Sequence, residues 1–222
     1  MKKSNKLFRF IYRKLHAAGH GVHSQFAFEL ILDTIHTPHS YYVYQDNKSK
    51  IELSGLNKEA NLKYAELLFR LINRFNSKEI LEIGSGLGIN TLYLNAHSMQ
   101  TNVTCIEQEE EKTKIAQSLL THKLVNIIFT NVLPKEEGSF DAIIWDLKQY
   151  PHEKEKVVET ISKTIKSYGF VVVNNINKGK ENKEVWQKIL KLDALTMSFD
   201  LGETGIGFFK PSLPKLNYEL YF

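Results

Sequence analysis

The stretch Ile80–Leu94, which reads ILEIGSGLGINTLYL, decides the fold class of this chain. Its apolar start is typical of a buried strand, and its end is compatible with a helix. Between them lie Gly84, Gly86 and Gly88, which allow a sharp turn and let a ligand approach the main chain closely. A strand, a glycine turn and a helix in this order predict an α/β domain with a ligand site at the turn.

The residues around this turn distinguish between two kinds of ligand. Ile89 stands where the dinucleotide fingerprint has its third glycine, and Glu82 lies two residues before Gly84. A pyrophosphate gains nothing from a neighbouring carboxylate, so an NAD-dependent enzyme is the disfavoured alternative. A ligand with an ammonium group would be attracted by this carboxylate. S-adenosylmethionine carries an ammonium group and also a carboxylate, which the N–H groups of a helix N-terminus favour.

A second acidic residue supports this interpretation. The run from Asn102 to Glu107, NVTCIE, favours a strand and ends in the acid. In nucleotide-binding α/β units, a carboxylate at the tip of the second strand accepts hydrogen bonds from ribose hydroxyl groups. Glu107 is therefore a candidate ribose ligand. The alternative is an ordinary strand–helix turn that binds no ligand.

With these motifs, the chain from Leu62 to its C-terminus resembles the class I S-adenosylmethionine-dependent methyltransferases. It is similar above all to the O-methyltransferase-like branch, which includes bacterial members that start with a Gly-His-Gly-Val-His-Ser segment. That segment is present at Gly19–Ser24. The resemblance implies a Rossmann-like fold, S-adenosylmethionine as methyl donor and S-adenosylhomocysteine as product. The cofactor-binding residues that it implies are Glu82, Gly84, Ser85, Gly86, Gly88, Glu107, Asn131 and Asp146.

The resemblance also implies a place for the methyl transfer. Asp146 ends the run FDAIIWD at the motif IV position, where a carboxylate can orient the nucleophile or hold a metal. Asn174 and Asn175 end the run VVVNN, where metal-dependent members usually have Asp and then Asn. Because Mg²⁺ prefers charged oxygen donors, we expect weak Mg²⁺ binding at most and assign no metal ligand. His23 is a further candidate catalytic residue as a general base, or else a residue that caps or packs.

The rest of the chain alternates between strand and helix patterns. This alternation predicts a Rossmann-like, doubly wound α/β sheet of seven strands, mostly parallel. A short turn around residues 202–205 joins the last two strands, so they are predicted to form an antiparallel hairpin. Helices are predicted at Met1–Lys14, Phe26–Ile35 and Leu62–Phe75, and a loop at Tyr41–Tyr44. The predicted strands are Glu79–Ile83, Val103–Glu107, Asn126–Thr130, Asp141–Asp146, Phe170–Asn174, Leu195–Asp200 and Gly207–Lys210.

We divide the chain into an N-terminal helical extension, residues 1–60, and a methyltransferase domain, residues 61–222. The extension is expected to be a substrate lid or an oligomer contact. Its first 14 residues include six basic residues and no acid, and Leu7, Ile11 and Leu15 share one helical face. Such a helix can pack on the domain or on a second subunit, or it can be attracted to a membrane surface or a polyanion.

The composition limits the number of domains, the cellular compartment and the contact with membranes that we expect for this protein. The 222 residues, 42% of them hydrophobic, suffice for one domain with a full core. The single cysteine, Cys105, cannot form an internal disulfide, which fits a reducing cytoplasm. No apolar run reaches the ~18–20 residues of a membrane span, and basic residues interrupt the apolar N-terminus. We therefore expect a cytoplasmic protein.

These observations predict a methyltransferase that uses S-adenosylmethionine as methyl donor. The resemblance alone implies that the acceptor is an oxygen of a small hydroxylated molecule. The alternative is a domain that binds S-adenosylmethionine without turnover, as a sensor or an assembly subunit, because amides replace expected acids. Nucleic acid is a disfavoured acceptor, since only the N-terminal helix is strongly basic and the net charge is a modest +4.

Overall fold

A computed structural model describes residues 2–121 and 124–222, but not the side chains of residues 2–9 and 124. The described chain forms an eight-stranded sheet in the order β3-β2-β1-β4-β5-β7-β6-β8. β7 is antiparallel to both of its neighbours, and the other pairs are parallel. The strands are β1 Glu79–Ile83, β2 Asn102–Ile106, β3 Ile127–Thr130, β4 Phe140–Asp146, β5 Ile165–Asn174, β6 Met197–Asp200, β7 Thr204–Phe208 and β8 Leu216–Glu219.

Helices cover both faces of the sheet. They are α1 Lys2–Ala17, α2 Gln25–Leu30, α3 Tyr42–Leu53, α4 Leu62–Phe75, α5 Ile89–Leu94, α6 Glu110–Leu119, α7 Lys154–Thr164 and α8 Lys180–Leu190. Within the described ranges, no helix is both long enough and apolar enough to cross a membrane.

The central strands send alternate side chains into two core layers, as the period of two in a strand requires. Ile144 of β4 belongs to the layer shared with α4 and α5. Its neighbours Ile143 and Trp145 belong to the layer shared with α7 and α8. Both faces of the sheet are therefore buried, which explains why these strands read as continuous apolar runs.

The strand order places a crevice beside β1. The chain passes outward from β1 to β2 and β3, and then returns to place β4 on the other side of β1. In open α/β sheets, ligands bind beyond the carboxyl ends of the strands at such a reversal. The fold thus brings the glycine turn after β1 next to the end of β4.

The N-terminal helices share the core of the sheet. Ala27 and Leu30 of α2 and Ile51 of α3 are buried in the layer that contains α4. The helix predicted at Phe26–Ile35 is present as α2 and a π-helical turn, Ile31–Ile35, that continues it. Ser24, the last residue of the Gly19–Ser24 segment, starts α2, since its side chain accepts a hydrogen bond from the Ala27 amide.

The prediction of a loop at Tyr41–Tyr44 is wrong. The chain forms α3 from Tyr42 onward. The ring centroids of Tyr41 and Tyr44 lie 5.1 and 5.6 Å from that of Phe69 in α4. The aromatic run has only a weak local preference for a helix, but the packing of these rings on α4 stabilises one.

The sheet has eight strands rather than the predicted seven. All seven predicted strands have counterparts, and the additional one is β8, which pairs with β6 at the edge. Its segment is short and follows Pro211 and Pro214, so it lacks a local strand pattern. It is held by tertiary contacts, among them the stacking of Tyr218 on Phe199 with ring centroids 5.3 Å apart.

The predicted C-terminal hairpin is confirmed, with a shift in its second strand. β6 and β7 pair antiparallel, and β7 starts at Thr204 and not at Gly207. Thr204 and Gly205, which we had placed in the turn, pair with Asn174 and Val173 of β5. This longer pairing brings Thr204 next to the end of β5, where the candidate catalytic residues lie.

Candidate active site

The three glycines after β1 adopt backbone conformations that disfavour other residues. Their φ angles are 82° at Gly84, 54° at Gly86 and 80° at Gly88. A Cβ atom on Gly88 would lie 2.8 Å from the Cβ of Ala116 in α6, so glycine also permits close packing there. The main chain of Gly84 is fixed to β2 by a 2.9 Å hydrogen bond from its amide to the Ile106 carbonyl.

Glu107 lies at the tip of β2, as predicted, and its carboxylate organises the turn. One oxygen accepts a 2.8 Å hydrogen bond from the Gly86 amide. The other accepts hydrogen bonds from the amides of Gln108 and Glu109, at 2.9 and 3.0 Å. Glu107 is buried and does not line the adjoining cavity. Its contact with the glycine turn gives it a structural role beside any contact with a ribose.

A cavity of about 360 Å³ adjoins the glycine turn. This volume falls in the range of small-molecule sites. Its walls come from the glycine turn, from the ends of β4 and β5, and from the segment between α3 and α4. The lining residues are Lys58, Glu59, Asn61, Tyr64, Gly84, Ser85, Gly86, Leu87, Ile89, Asn90, Lys112, Asp146, Lys148, Gln149 and Asn174.

Asp146, Asn174 and Asn175 lie together, as predicted, and they form hydrogen bonds with one another. The Asn174 and Asn175 side-chain amides donate to the two Asp146 carboxylate oxygens, at 3.0 and 2.9 Å. The amides of Lys148 and Gln149 also donate to Asp146, at 2.8 and 3.1 Å. Four donors therefore compensate the Asp146 charge. Asp146 is therefore a carboxylate surrounded by amide donors.

Three buried oxygen atoms around the glycine turn have no hydrogen-bond partner among the described residues: the Tyr64 hydroxyl, Glu82 Oε1 and the Ser85 hydroxyl. Tyr64 and Ser85 line the cavity, and Glu82 lies at the end of β1 immediately before the turn. An unpartnered buried polar atom costs free energy, so such atoms mark places where a ligand or water completes the hydrogen bonding.

Burial raises the pKa of Glu82 from 4.5 to about 8. Hydrogen bonds from Thr91 and Cys105 oppose this shift, and the charges of Asp146 and Glu107 add to it. Burial, with Asp146 and Glu82 nearby, also raises the pKa of the Tyr64 hydroxyl well above 10. Tyr64 is therefore a hydrogen-bond donor at neutral pH and not a base.

A second cavity, of about 190 Å³, shares a wall with the first. Asn61, Tyr64 and Asn174 line both cavities. The second cavity also contacts the β6–β7 turn through Glu203 and Thr204, and Thr204 donates a 3.2 Å hydrogen bond to Asn174. The two cavities therefore adjoin at a polar wall that contains Tyr64 and Asn174.

The segment after β4 covers part of the glycine turn. A Cβ atom on Gly84 would lie 2.9 Å from the Gln149 Cβ and 3.0 Å from the Tyr150 amide nitrogen. Gln149 accepts a 3.4 Å hydrogen bond from Lys112, and the Tyr150 hydroxyl accepts one of 3.3 Å from Gln108. The contact spans the tips of β1, β2 and β4, where a nucleoside would approach the glycines.

Six of the predicted site residues line neither cavity, and four of them are buried: Glu82, Gly88, Glu107 and Asn175. The other two, His23 and Asn131, are exposed. His23 lies before α2. Asn131 lies after β3, and its carbonyl accepts a 3.1 Å hydrogen bond from Gln108. Within the described ranges, no group of three His, Cys, Asp or Glu residues is placed to hold a metal ion.

Tyr64 is the site residue that the sequence reasoning missed. It lies in the first turn of α4, after Asn61, whose side chain accepts a hydrogen bond from the Tyr64 amide. A helix that leads directly into a parallel strand runs antiparallel to it, so the first turn of α4 lies at the carboxyl end of β1. That topology is the signal that could have revealed this residue.

Comparison with known proteins agrees with this geometry. Residues 80–169, which contain the glycine turn, Glu107 and Asp146, match the family described as a methyltransferase domain. The fold is that of a methyltransferase. Curated protein sequences give no significant match.

Solved structures show the same fold at low sequence identity. The cofactor-bound protein Rv0187 from MTB is 15% identical, with a TM-score of 0.60 over 77% of this chain and 90% of that one. An O-methyltransferase from Bacillus cereus in complex with SAH is 16% identical, with a TM-score of 0.58 over 77% and 91%. The O-methyltransferase TomG from Streptomyces achromogenes, in complex with SAM, is 16% identical, with a TM-score of 0.55 over 77% and 89%.

Proposed function

We propose that the protein is a cytoplasmic S-adenosylmethionine-dependent methyltransferase that methylates an oxygen of a small hydroxylated acceptor. The observation that carries the proposal is the set of three unpartnered buried oxygens, on Tyr64, Glu82 and Ser85, around a glycine turn beside a ligand-sized cavity. The match of residues 80–169 to a methyltransferase domain and the O-methyltransferases among the structural neighbours support it.

The chemistry of these groups fits S-adenosylmethionine. Glu82 can ionise beside an ammonium group, while the Tyr64 and Ser85 hydroxyl groups can donate to a carboxylate. Glu107 would hold the ribose through lone pairs that its backbone partners leave free. Asn131, exposed at the tip of β3, would contact the adenine after a local rearrangement. These assignments rest on the position of each residue at a strand tip.

S-adenosylmethionine supplies an electrophilic methyl group to an acceptor oxygen. The protein's contribution in this proposal is positioning, which can supply much of a rate enhancement. Tyr64 and Asn174, in the wall shared by the two cavities, would orient the acceptor. Asp146 would fix the two asparagine amides through their hydrogen bonds. His23 would act only if the acceptor drew the extension toward the cavity.

We propose that this site needs no tightly bound Mg²⁺. The amide nitrogens of Asn174 and Asn175 point at Asp146, so a metal ion would have to displace two hydrogen bonds and both amides would have to turn. Mg²⁺ also prefers charged oxygen donors in strict octahedral geometry. The donor set therefore favours a metal-independent reaction.

Titration calorimetry with S-adenosylmethionine and S-adenosylhomocysteine, with and without Mg²⁺, tests the proposal on the full chain. We expect binding that Mg²⁺ does not change. Tyr64→Phe should weaken binding roughly tenfold to a hundredfold through the loss of one hydrogen bond to the ligand's carboxylate. Tyr93→Phe is the matched control, because its hydroxyl is also buried and unpartnered but does not line the cavity. Absence of binding to both ligands would refute the proposal.

The candidate that competes with this function is a domain that binds S-adenosylmethionine without turnover. The four hydrogen bonds to Asp146 favour it, because they engage the predicted catalytic carboxylate in contacts within the protein. A panel of hydroxyl and amine acceptors with methyl-labelled S-adenosylmethionine separates the two functions. Methyl transfer that Asp146→Ala abolishes supports the enzyme, whereas binding without transfer supports the sensor or assembly subunit.

A further inference from the structure

Helix α1 turns polar side chains toward the protein. The Arg13 guanidinium forms ion pairs with Asp200 at 3.0 Å and with Glu219 at 3.1 Å. The Arg13 carbonyl accepts a hydrogen bond from the Tyr221 amide. His16, one turn later, is buried. These contacts fix the described part of α1 at the carboxyl ends of β6 and β8. The candidate active site lies at the same end of the sheet.

Ile11 and Leu15 of α1 face the opposite way. They lie one helical turn apart and are 47% and 48% exposed. Phe10 and Tyr12 flank them and are partly exposed, with the Phe10 ring packed edge-on against Tyr221 at 5.5 Å and the Tyr12 ring against His16 at 4.0 Å. A surface helix of a globular domain ordinarily buries its apolar stripe and exposes its charges. A group of exposed apolar side chains with basic neighbours marks a surface that contacts something else.

The charge of α1 limits what that contact can be. The helix carries Lys2, Lys3, Lys6, Arg9, Arg13 and Lys14 and has no acidic residue. The Arg13 charge is compensated by Asp200 and Glu219, but the other five basic residues still give the helix a positive net charge. In a symmetric contact between two copies, the same surface meets itself, so this helix would meet a helix of the same sign of charge. An anionic lipid surface instead attracts the basic residues and accepts the apolar ones.

We propose that α1 docks the protein on an anionic lipid membrane. The helix would lie in the plane of the interface, with Ile11 and Leu15 among the outer acyl carbons. Tyr12 would sit at the level of the head groups, where tyrosine side chains are favoured. Lys14, whose ammonium group lies 4.9 Å from the centroid of the Phe10 ring, would extend to the lipid phosphates.

Co-sedimentation of the full chain with vesicles tests this proposal. One set contains equal parts of phosphatidylcholine and phosphatidylglycerol, and the other contains phosphatidylcholine alone. We expect binding to the anionic vesicles that falls as salt is added, and little binding to the neutral ones. The double variant Ile11→Glu, Leu15→Glu should bind the anionic vesicles at least about tenfold more weakly.

A matched variant separates the apolar contact from simple electrostatics. Leu53→Glu with Met99→Glu changes the net charge equally at two side chains that are 88% and 93% exposed elsewhere on the surface. This control should bind within about threefold of the wild type, since it retains the α1 face. Thermal unfolding of all three proteins confirms that each is folded.

Three outcomes would overturn the proposal. The first is no binding of the wild type to anionic vesicles at low salt, and the second is equal binding by the two double variants. The third is a wild-type dimer by light scattering that Ile11→Glu, Leu15→Glu converts to monomer, which would make this face a contact between copies. The experiment needs no methyl donor or acceptor, so its result is independent of the proposed enzymatic function.

Discussion

Glu82 shows how one residue links the candidate site to the stability of the domain. Its pKa rises from 4.5 to about 8, chiefly because burial disfavours the charged form. An unfolded chain exposes the same carboxyl group to water, where it ionises near 4.5. Between these values the folded protein holds one more proton than the unfolded protein, so stability falls as the pH rises.

We therefore predict that Glu82 makes the free energy of unfolding decrease from about pH 5 to pH 8, by up to roughly 1.4 kcal/mol per pH unit. Glu82→Gln, which cannot ionise, should flatten this dependence. Urea unfolding of both proteins across this range measures the difference. Parallel curves for the two proteins would mean that Glu82 ionises at its ordinary pKa.

At the scale of elements, the segment after β4 controls access to the glycine turn. The Gln149 amide lies 3.3 to 3.4 Å from the Cβ position of Gly86, on the side where a ligand would approach. The side chain is exposed and its contacts are few, so moving it costs little. When the side chain covers the turn in some of the molecules, the apparent affinity for a ligand is reduced in proportion to the fraction of molecules in which the turn is uncovered.

We predict that Gln149→Ala binds S-adenosylmethionine about twofold to fivefold more tightly, with most of the gain in the association rate. Lys148→Ala is the control, since Lys148 lines the same cavity without contact to the glycine positions. Stopped-flow binding measures both rates. Weaker binding by Gln149→Ala would show that the amide is a ligand contact and not a cover.

The elements also show how far the sequence predicts this fold. The strand runs, the glycine turn and Glu107 were predicted because buried parallel strands and tight turns have local signatures. The missed elements, α3 at Tyr42–Leu53 and β8, exist through contacts with Phe69 and Phe199, which are distant in sequence. The resemblance implies that Asp146 and Asn174 share one site, but the direction of each amide depends on side-chain rotamers that no local pattern specifies.

At the scale of the whole molecule, the N-terminal helix α1 and the C-terminal strand β8 stabilise each other. Arg13 of α1 connects the ends of β6 and β8 through Asp200 and Glu219, and its ion pairs are mostly shielded from water. Among the described strands, β8 lies at the edge of the sheet and pairs with β6 alone. Its amides and those just after it bond to β6, as in the 2.8 Å hydrogen bond from Leu220 to Asp200. α1 therefore holds the carboxyl end of this edge strand in place beside β6.

We predict that Arg13→Met lowers the free energy of unfolding by about 1–2 kcal/mol, because it leaves two carboxylates facing each other without a cation. Lys14→Met, the adjacent exposed position, should change stability by less than about 0.5 kcal/mol. Urea unfolding gives both values, and hydrogen exchange locates the change. Amides of β8 should exchange faster in Arg13→Met, while those of β1 and β4 keep their relative protection. Unchanged exchange in β8 would mean that the edge strand holds without the α1 contact, and that Tyr218 packing on Phe199 suffices.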